Sequence, residues 1–224
     1  QPSPEDLKMT VEEYDSVELI SATLEPQLEN LEYNFGMPQP QGYRKALRLF
    51  KHASKFNIPI VTLIDTPGAY PGISAEETNQ GGAIAVNLMQ MAKLEVPVIA
   101  IITGEGCSGG ALGLAVADRV FLLEHAYYTV ISPEGCASIL WRDASKASEA
   151  ADALKITAKD LMQFDIIDGE IKEPTGGAHT NYDEVSENMK KTILDSLEEL
   201  SKLSVKDIKE QRYQKFRKMG VFLQ

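Results

Sequence analysis

The stretch Thr103-Gly104-Glu105-Gly106-Cys107-Ser108-Gly109-Gly110-Ala111-Leu112-Gly113 decides the fold. The apolar, β-branched run Val96-Pro97-Val98-Ile99-Ala100-Ile101-Ile102 precedes it. Residues 111–117, small and apolar, come next as a predicted buried helix. A strand, a glycine turn and a helix start gather several backbone N–H groups at one point. Those groups lack intrahelical partners and lie at the positive end of the helix dipole, so they favour negative charge. A phosphate, an acyl oxyanion and an enolate oxygen all meet that description.

Upstream, Ile60-Val61-Thr62-Leu63-Ile64 predicts a short buried strand that runs into the loop Asp65-Thr66-Pro67-Gly68-Ala69-Tyr70-Pro71-Gly72. A helix is expected over about 83–93, with Ile84, Leu88, Met91 and Leu94 inward, and then a strand over 96–102. Strand, helix and strand make a crossover of the length that parallel strands need. Loops at the carboxyl ends of neighbouring parallel strands face one crevice. Loops 65–72 and 104–113 are therefore expected to converge.

Further out, a helix over about 42–56 carries Tyr43, Ala46, Leu47, Phe50 and Ala53 on one face. Short strands are expected at 120–123 and 128–131. Ser132-Pro133-Glu134-Gly135-Cys136-Ala137 reads as a third glycine turn, opening a helical stretch through Trp141. Helices are expected near 146–154 and, capped by Thr157, to Phe164, with a short strand or turn around Ile166, Ile167 and Ile171. Asn181 is expected to cap a long helix bearing Val185, Met189, Ile193, Leu197 and Leu200, and Ser204 to open a shorter basic one. Residues 1–33 read as an N-terminal arm or incomplete N-terminal strands, with 21–31 open to a helix interrupted by Pro26. Residues 34–224 read as one domain.

The 224-residue chain has a net charge of −11, which argues against nucleic acid or an anionic membrane as the main partner. No apolar run reaches the ~20 residues that a membrane span needs, and the N-terminus lacks signal-peptide order. Cys107 and Cys136 are too few for a disulfide framework or a four-ligand zinc site, so a cytoplasmic setting and no metal on this chain are expected. The basic cluster Lys206, Lys209, Arg212, Lys215, Arg217 and Lys218, and the acidic one before it, are expected to form solvated helical faces.

The glycine stretch satisfies more than one motif expression. Gly104-x-Gly106-x-x-Gly109, with Glu124 about twenty residues on, fits a dinucleotide fingerprint, but a βαβ unit already precedes it. Gly106-x-Ser108-x-Gly110 fits a nucleophile elbow, with Asp143 or Asp168 and then His179 in hydrolase order. Of three histidines, His52 is expected on a helix surface and His125 in a turn, leaving His179 as the candidate base. A P-loop is excluded because no Lys-Ser/Thr comes after the glycines. In the remaining reading the loop acts by backbone alone, its glycines allowing adjacent N–H groups to aim at one developing oxyanion. The other glycine turns would add walls or donors.

Several longer motifs then carry a resemblance: Asn34-Phe35-Gly36-Met37-Pro38, Gly42-Tyr43-Arg44-Lys45-Ala46-Leu47-Arg48-Leu49, residues 64–72, the glycine stretch, residues 131–141 and Gly176-Gly177-Ala178-His179. In order and spacing, from about 33 to about 220, the chain resembles the α subunit family of the multisubunit acetyl-CoA carboxylase carboxyltransferase. The resemblance implies an α/β, ClpP/crotonase-like fold, with stacked ββα units, two roughly perpendicular sheets and C-terminal helices. It implies carboxyl transfer from carboxybiotin on a biotin carboxyl carrier protein to acetyl-CoA, giving malonyl-CoA for fatty-acid synthesis. It further implies a zinc-ribbon-bearing β subunit, an α2β2 assembly and no metal on this chain. The family's backbone oxyanion hole falls on Gly109 and Gly110, where it would polarise the ureido oxygen of biotin. Gly68, Ala69, Gly106, Cys107, Gly135 and Cys136 would line the substrates. No side-chain nucleophile is required. The alternatives are a serine hydrolase using Ser108 and His179, and a non-catalytic scaffold of the same fold.

The chain departs from the family pattern in three places. Cys107 stands where a further glycine is usual, and Glu77-Thr78-Asn79-Gln80-Gly81-Gly82 replaces Glu-Arg-Gly-Gln-Ser-Glu. Residues 1–33 lack the Gly-Gln-Lys-Gly-like segment.

Overall fold

The structure, a computed structural model, describes residues 9–14, 17–22 and 34–220. Strands β1 (Met9–Tyr14) and β2 (Val17–Ala22) pair antiparallel as a separate two-stranded sheet. Most of the expected N-terminal arm lies outside the described residues; of the helix expected over 21–31, Ser21 and Ala22 belong to β2.

Helix α1 (Pro40–Lys55) starts with a proline whose fixed φ suits a first turn, and it buries Tyr43, Phe50 and Ala53. Strand β3 (Ile60–Thr66) comes next, taking in the first two residues of the expected loop, then α2 (Ile73–Glu77), a short helix between that loop and the expected helix. Helix α3 (Gln80–Met91) is capped by Asn79, which takes φ 65° and accepts a hydrogen bond from Gly82 N at 3.1 Å. The chain continues through β4 (Val98–Cys107), α4 (Ser108–Ala115), β5 (Arg119–Leu123) and β6 (Tyr127–Thr129). Helices α5 (Pro133–Trp141), α6 (Ala147–Leu154) and α7 (Ala158–Gln163) lead to β7 (Gly169–Ile171), and α8 (Tyr182–Leu200) and α9 (Val205–Lys218) close the chain. The predicted caps Thr157, Asn181 and Ser204 each accept a backbone N–H in the first turn of their helices.

The main sheet is parallel, in the order β3-β4-β5-β7, and β4 is its axis. Val98 to Ile102 are fully buried, as expected of a parallel strand covered on both faces. The first half of β4 pairs with β5, whereas Glu105, Gly106 and Cys107 pair with Tyr127, Tyr128 and Thr129 of β6. One strand thus serves two pairings.

The strand expected over 96–102 is longer than its apolar run. Gly104 and Gly106 lie inside β4, and the turn is only the step from Cys107 to Ser108. Close packing explains this. A methyl group at Gly104 would sit 2.6 Å from Asp65 Oδ1, and one at Gly106 would sit 2.9 Å from Ile102 Cγ2 and 3.0 Å from Tyr127 O.

The basic face of α9 is not simply solvated. Arg212 is 1% exposed, and all its N–H groups are used: Nε to Asp118 Oδ1 (2.9 Å), Nη1 to Met91 O (2.8 Å) and Leu94 O (3.0 Å), Nη2 to Val96 O (2.9 Å) and Asp118 Oδ2 (2.7 Å). A buried guanidinium persists only when paired and fully hydrogen-bonded. Asp118 also accepts from Val98 N at 2.7 Å and donates its own N–H to Val98 O at 2.8 Å, closing the start of β4. Asp168 repeats the device one strand along, with Val120 N at 2.7 Å and Val120 O at 2.8 Å, and Lys215 binds its carboxylate. Burial pushes the Lys215 ammonium below its ordinary pKa, against the pull of Asp168.

Candidate active site

The two loops meet as expected. A methyl group at Gly110 would sit 2.6 Å from the Gly68 carbonyl carbon and closer still to Ala69 N, so only glycine fits between helix α4 and loop 65–72. Tyr43, buried on α1, donates its hydroxyl to Gly110 O at 3.0 Å, and its ring lies 3.2 Å from where a Gly113 methyl would be. Gly109 is freer: the nearest atom to a methyl there is Ile84 Cγ2 at 3.9 Å.

Loop 65–72 is itself clipped down. Thr66 Oγ1 donates to Gly36 O at 2.9 Å and accepts from Gly68 N at 3.2 Å. Tyr70 N donates to Pro38 O at 3.1 Å, and the buried Gln80 amide donates to Pro38 O (2.9 Å) and Tyr70 O (3.1 Å). Gly68 takes φ 145°, a conformation that L side chains rarely adopt.

Helix α4 begins without a side-chain cap, as α1, α2 and α6 also do. Cys107 occupies the cap position in an extended conformation, and no side chain accepts from the first turn. In α3, α5, α7, α8 and α9 a side-chain oxygen fills that place. The first N–H groups of α4 cannot bond within the helix. Half-buried Gly109 and buried Gly110 therefore present donors at the positive end of an uncapped dipole, beside the backbone of Ala69.

The other candidate residues are scattered around this turn. Gly106 lies in β4 beneath Tyr127 and Tyr128. Cys107 is 4% exposed, and burial, then the charge of Glu105, pushes its thiol pKa up, away from thiolate character. The Gly135 N–H is committed to Ser132 Oγ at 3.1 Å as the cap of α5. Cys136 is buried in a small cluster with Ala137 and Ala150, against Ile131 and Leu154.

Ser108 is exposed and takes φ 61°, as at a nucleophile elbow, yet among the described residues it makes no hydrogen bond to a histidine. Asp168 sits at the start of β5 and β7, the opposite end of the sheet from Ser108, and Asp143 accepts from Ser145 N at 3.0 Å. Glu124, the acid of the dinucleotide reading, is engaged by Lys172 Nζ at 3.1 Å and Glu173 N at 3.3 Å. Neither the triad nor the dinucleotide reading assembles. Among the described residues no group of His, Cys, Asp or Glu is placed to hold a metal, and no helix is long and apolar enough to cross a membrane.

A glycine-backed strand-to-helix turn, packed on a second glycine loop at the carboxyl end of a parallel sheet, is the geometry on which the sequence comparisons bear. The family model for acetyl co-enzyme A carboxylase carboxyltransferase-like proteins matches residues 21–220. The chain belongs to this carboxyltransferase family.

Its relatives include the acetyl-coenzyme A carboxylase carboxyl transferase subunit alpha of Clostridium beijerinckii, 60% identical over 194 residues, covering 87% of this chain and 71% of that one. The protein of the same name from Thermus thermophilus is 54% identical over 196 residues, covering 88% and 63%. The chain thus spans about two thirds of the length of the curated relatives it matches, 71% and 64% for the first two. Among solved structures, a transcarboxylase 12S hexamer core superposes with TM-score 0.68 at 22% identity, covering 83% of this chain and 34% of that one. A subunit of a Pseudomonas malonate decarboxylase hetero-dimer superposes with TM-score 0.70 at 14% identity, covering 89% and 84%. These likenesses show the crotonase-like fold.

Within this carboxyltransferase framework, sequence reasoning misses the residues that hold the turn. Tyr43 reads there as an ordinary helix position, Gln80 as part of a glycine-containing segment ahead of a helix, and Asp65 and Thr66 as loop. An acidic and a hydroxyl residue just before a Pro-Gly pair are the available signal for Asp65 and Thr66.

Proposed function

We propose that this chain is the α subunit of an acetyl-CoA carboxylase carboxyltransferase, moving a carboxyl group from carboxybiotin, held as substrate on a biotin carboxyl carrier protein, to acetyl-CoA. The observation that carries the reading is the uncapped start of α4, where Gly110 packs so closely on the Gly68–Ala69 backbone that a methyl group would not fit. Carboxybiotin supplies the transferable carboxyl group. The chain supplies fixed dipoles that cost no reorganisation when charge develops on an oxygen, by family resemblance the ureido oxygen. Tyr43 and Gln80 keep the two loops in place through hydrogen bonds to Gly110 O and to Pro38 O and Tyr70 O. Gly68, Ala69, Gly106 and Cys107 form the wall next to these donors.

Residues 34–224 constitute the carboxyltransferase domain in this reading. The site is completed by a zinc-ribbon-bearing β subunit in an α2β2 assembly, in the cytosol. The relatives' name, subunit alpha of a carboxyl transferase, supports a division of the site between this chain and a partner subunit. The test is co-expression with a β subunit from a closely related organism. Complex formation and malonyl-CoA-dependent carboxylation of biotin are expected. A stable complex without that activity would leave only the scaffold reading.

A further inference from the structure

We infer that Asp65 is a positioning residue for the oxyanion turn, acting through Glu105 and Gly104; the inference rests on the carboxyltransferase reading. Strands β3 and β4 pair regularly up to Ile64 opposite Ile102, but the next pair is Thr66 opposite Gly106. Strand β4 therefore uses residues 103–105 where β3 uses only Asp65. Such a bulge re-aims the chain beyond it and leaves backbone groups without ladder partners. Beyond this bulge, after Gly106 and Cys107, lie the turn at Ser108 and the donors Gly109 and Gly110.

Asp65 fills the gap. Its Oδ1 accepts the Glu105 N–H at 2.8 Å, replacing the missing ladder bond. Both carboxylate oxygens lie over Gly104, at 2.6 and 3.0 Å from where a methyl would project, so glycine at 104 is what lets the carboxylate reach. From the other side the Tyr127 hydroxyl donates to Glu105 Oε1 at 2.9 Å, across the β4–β6 pair. Glu105 is thus held by its backbone from β3 and by its side chain from β6. Asp65 is exposed and leads directly into loop 65–72, so one residue ties both walls of the site together. Catalysis by aimed N–H donors is sensitive to small displacements, and ~1 Å of misplacement costs on the order of a hundredfold in rate.

The experiment uses the complex with a matched β subunit and compares wild type, Asp65→Ala, Asp65→Asn, Gly104→Ala and the double variant Asp65→Ala/Gly104→Ala. Asp65→Ala is expected to lower kcat by ~10- to 100-fold with little change in KM for acetyl-CoA. Asp65→Asn keeps an acceptor oxygen and is expected to recover most of the loss. Gly104→Ala displaces the carboxylate and should imitate Asp65→Ala, while the double variant should be no worse than Asp65→Ala alone. A role limited to folding would instead lower thermal stability in all the variants, add in the double variant, and show no rescue by asparagine. Wild-type kcat in Asp65→Ala, or simple additivity with Gly104→Ala, overturns the inference while the carboxyltransferase reading stands. An inactive wild-type complex overturns both.

Discussion

Gly110 and Ala69 are in contact through their backbones alone: the space a Gly110 methyl would take already holds Ala69 N and the Gly68 carbonyl carbon. Helix α4 and loop 65–72 are consequently one rigid wall, and the position of each donor depends on the other loop.

Gly110→Ala should force the loops apart and cost about 1–3 kcal/mol, the usual range for overpacking, with transfer activity lost as well. Gly109→Ala meets nothing nearer than 3.9 Å, so its melting temperature should stay near that of wild type. Thermal unfolding of both variants beside wild type reads the contrast. Equal destabilisation would mean that the close approach at Gly110 is not maintained in solution.

Ser108→Ala separates backbone from side-chain chemistry. The N–H groups are unchanged, so transfer in the β-subunit complex should remain within a few-fold of wild type, whereas a serine hydrolase loses its nucleophile and on the order of 10⁶ in kcat. Ser108→Gly should do at least as well, because φ 61° suits glycine.

Removing the Arg212 guanidinium leaves the Asp118 carboxylate buried with one backbone donor and without its hydrogen-bonded counter-charge. Arg212→Ala should therefore destabilise the protein by about 3–5 kcal/mol. Lysine cannot reproduce the planar five-donor pattern, so Arg212→Lys should rescue little of that. Urea unfolding with a fitted midpoint decides it, and a midpoint shift of under a few tenths molar would argue against a buried pair.

A pH effect is expected at His125. Its Nδ1 lies 2.9 Å from Glu173 Oε2, and the hydrogen bond to Glu173, then its charge, raises the imidazole above the ordinary 6.5. Glu124 and Glu170 act in the same direction. The folded state favours the protonated ring, so its contribution is complete below the ordinary value and is lost as pH rises through the higher folded value. His125→Gln lacks this dependence. Between about pH 6 and pH 8 the melting temperature of wild type should fall relative to that of the variant. Parallel curves would remove the pair as a source of pH dependence.

Much of the architecture was legible because it is local. Alternation of apolar runs with helical periodicity located β3, α3 and β4, and three of the caps were readable from Thr157, Asn181 and Ser204. Convergence of the two loops came from the parallel crossover alone. What escaped was set by distant partners. Arg212 looks like any lysine-rich helix residue until Asp118, Met91, Leu94 and Val96 are gathered around it. Gly104 and Gly106 look like turn residues, because glycine in a strand is explained only by what presses on it, here Asp65 and Tyr127. The third glycine turn is a substrate wall only by resemblance; in the structure the Gly135 N–H is bonded to Ser132 Oγ and Cys136 packs into a local cluster.

Arg212 and Lys215 lie three residues apart on α9, and each answers an aspartate at the head of a successive strand. That spacing acts as a registration mark. One residue inserted between them would swing Lys215 by about 100° around the helix axis, away from Asp168 while Arg212 stayed with Asp118. One residue lost inside α9, between its first turn and Arg212, would turn both away from their partners. Single-residue insertions and deletions should thus be tolerated between α8 and α9 far better than between 212 and 215, and the last helix has one seating and no half-way position.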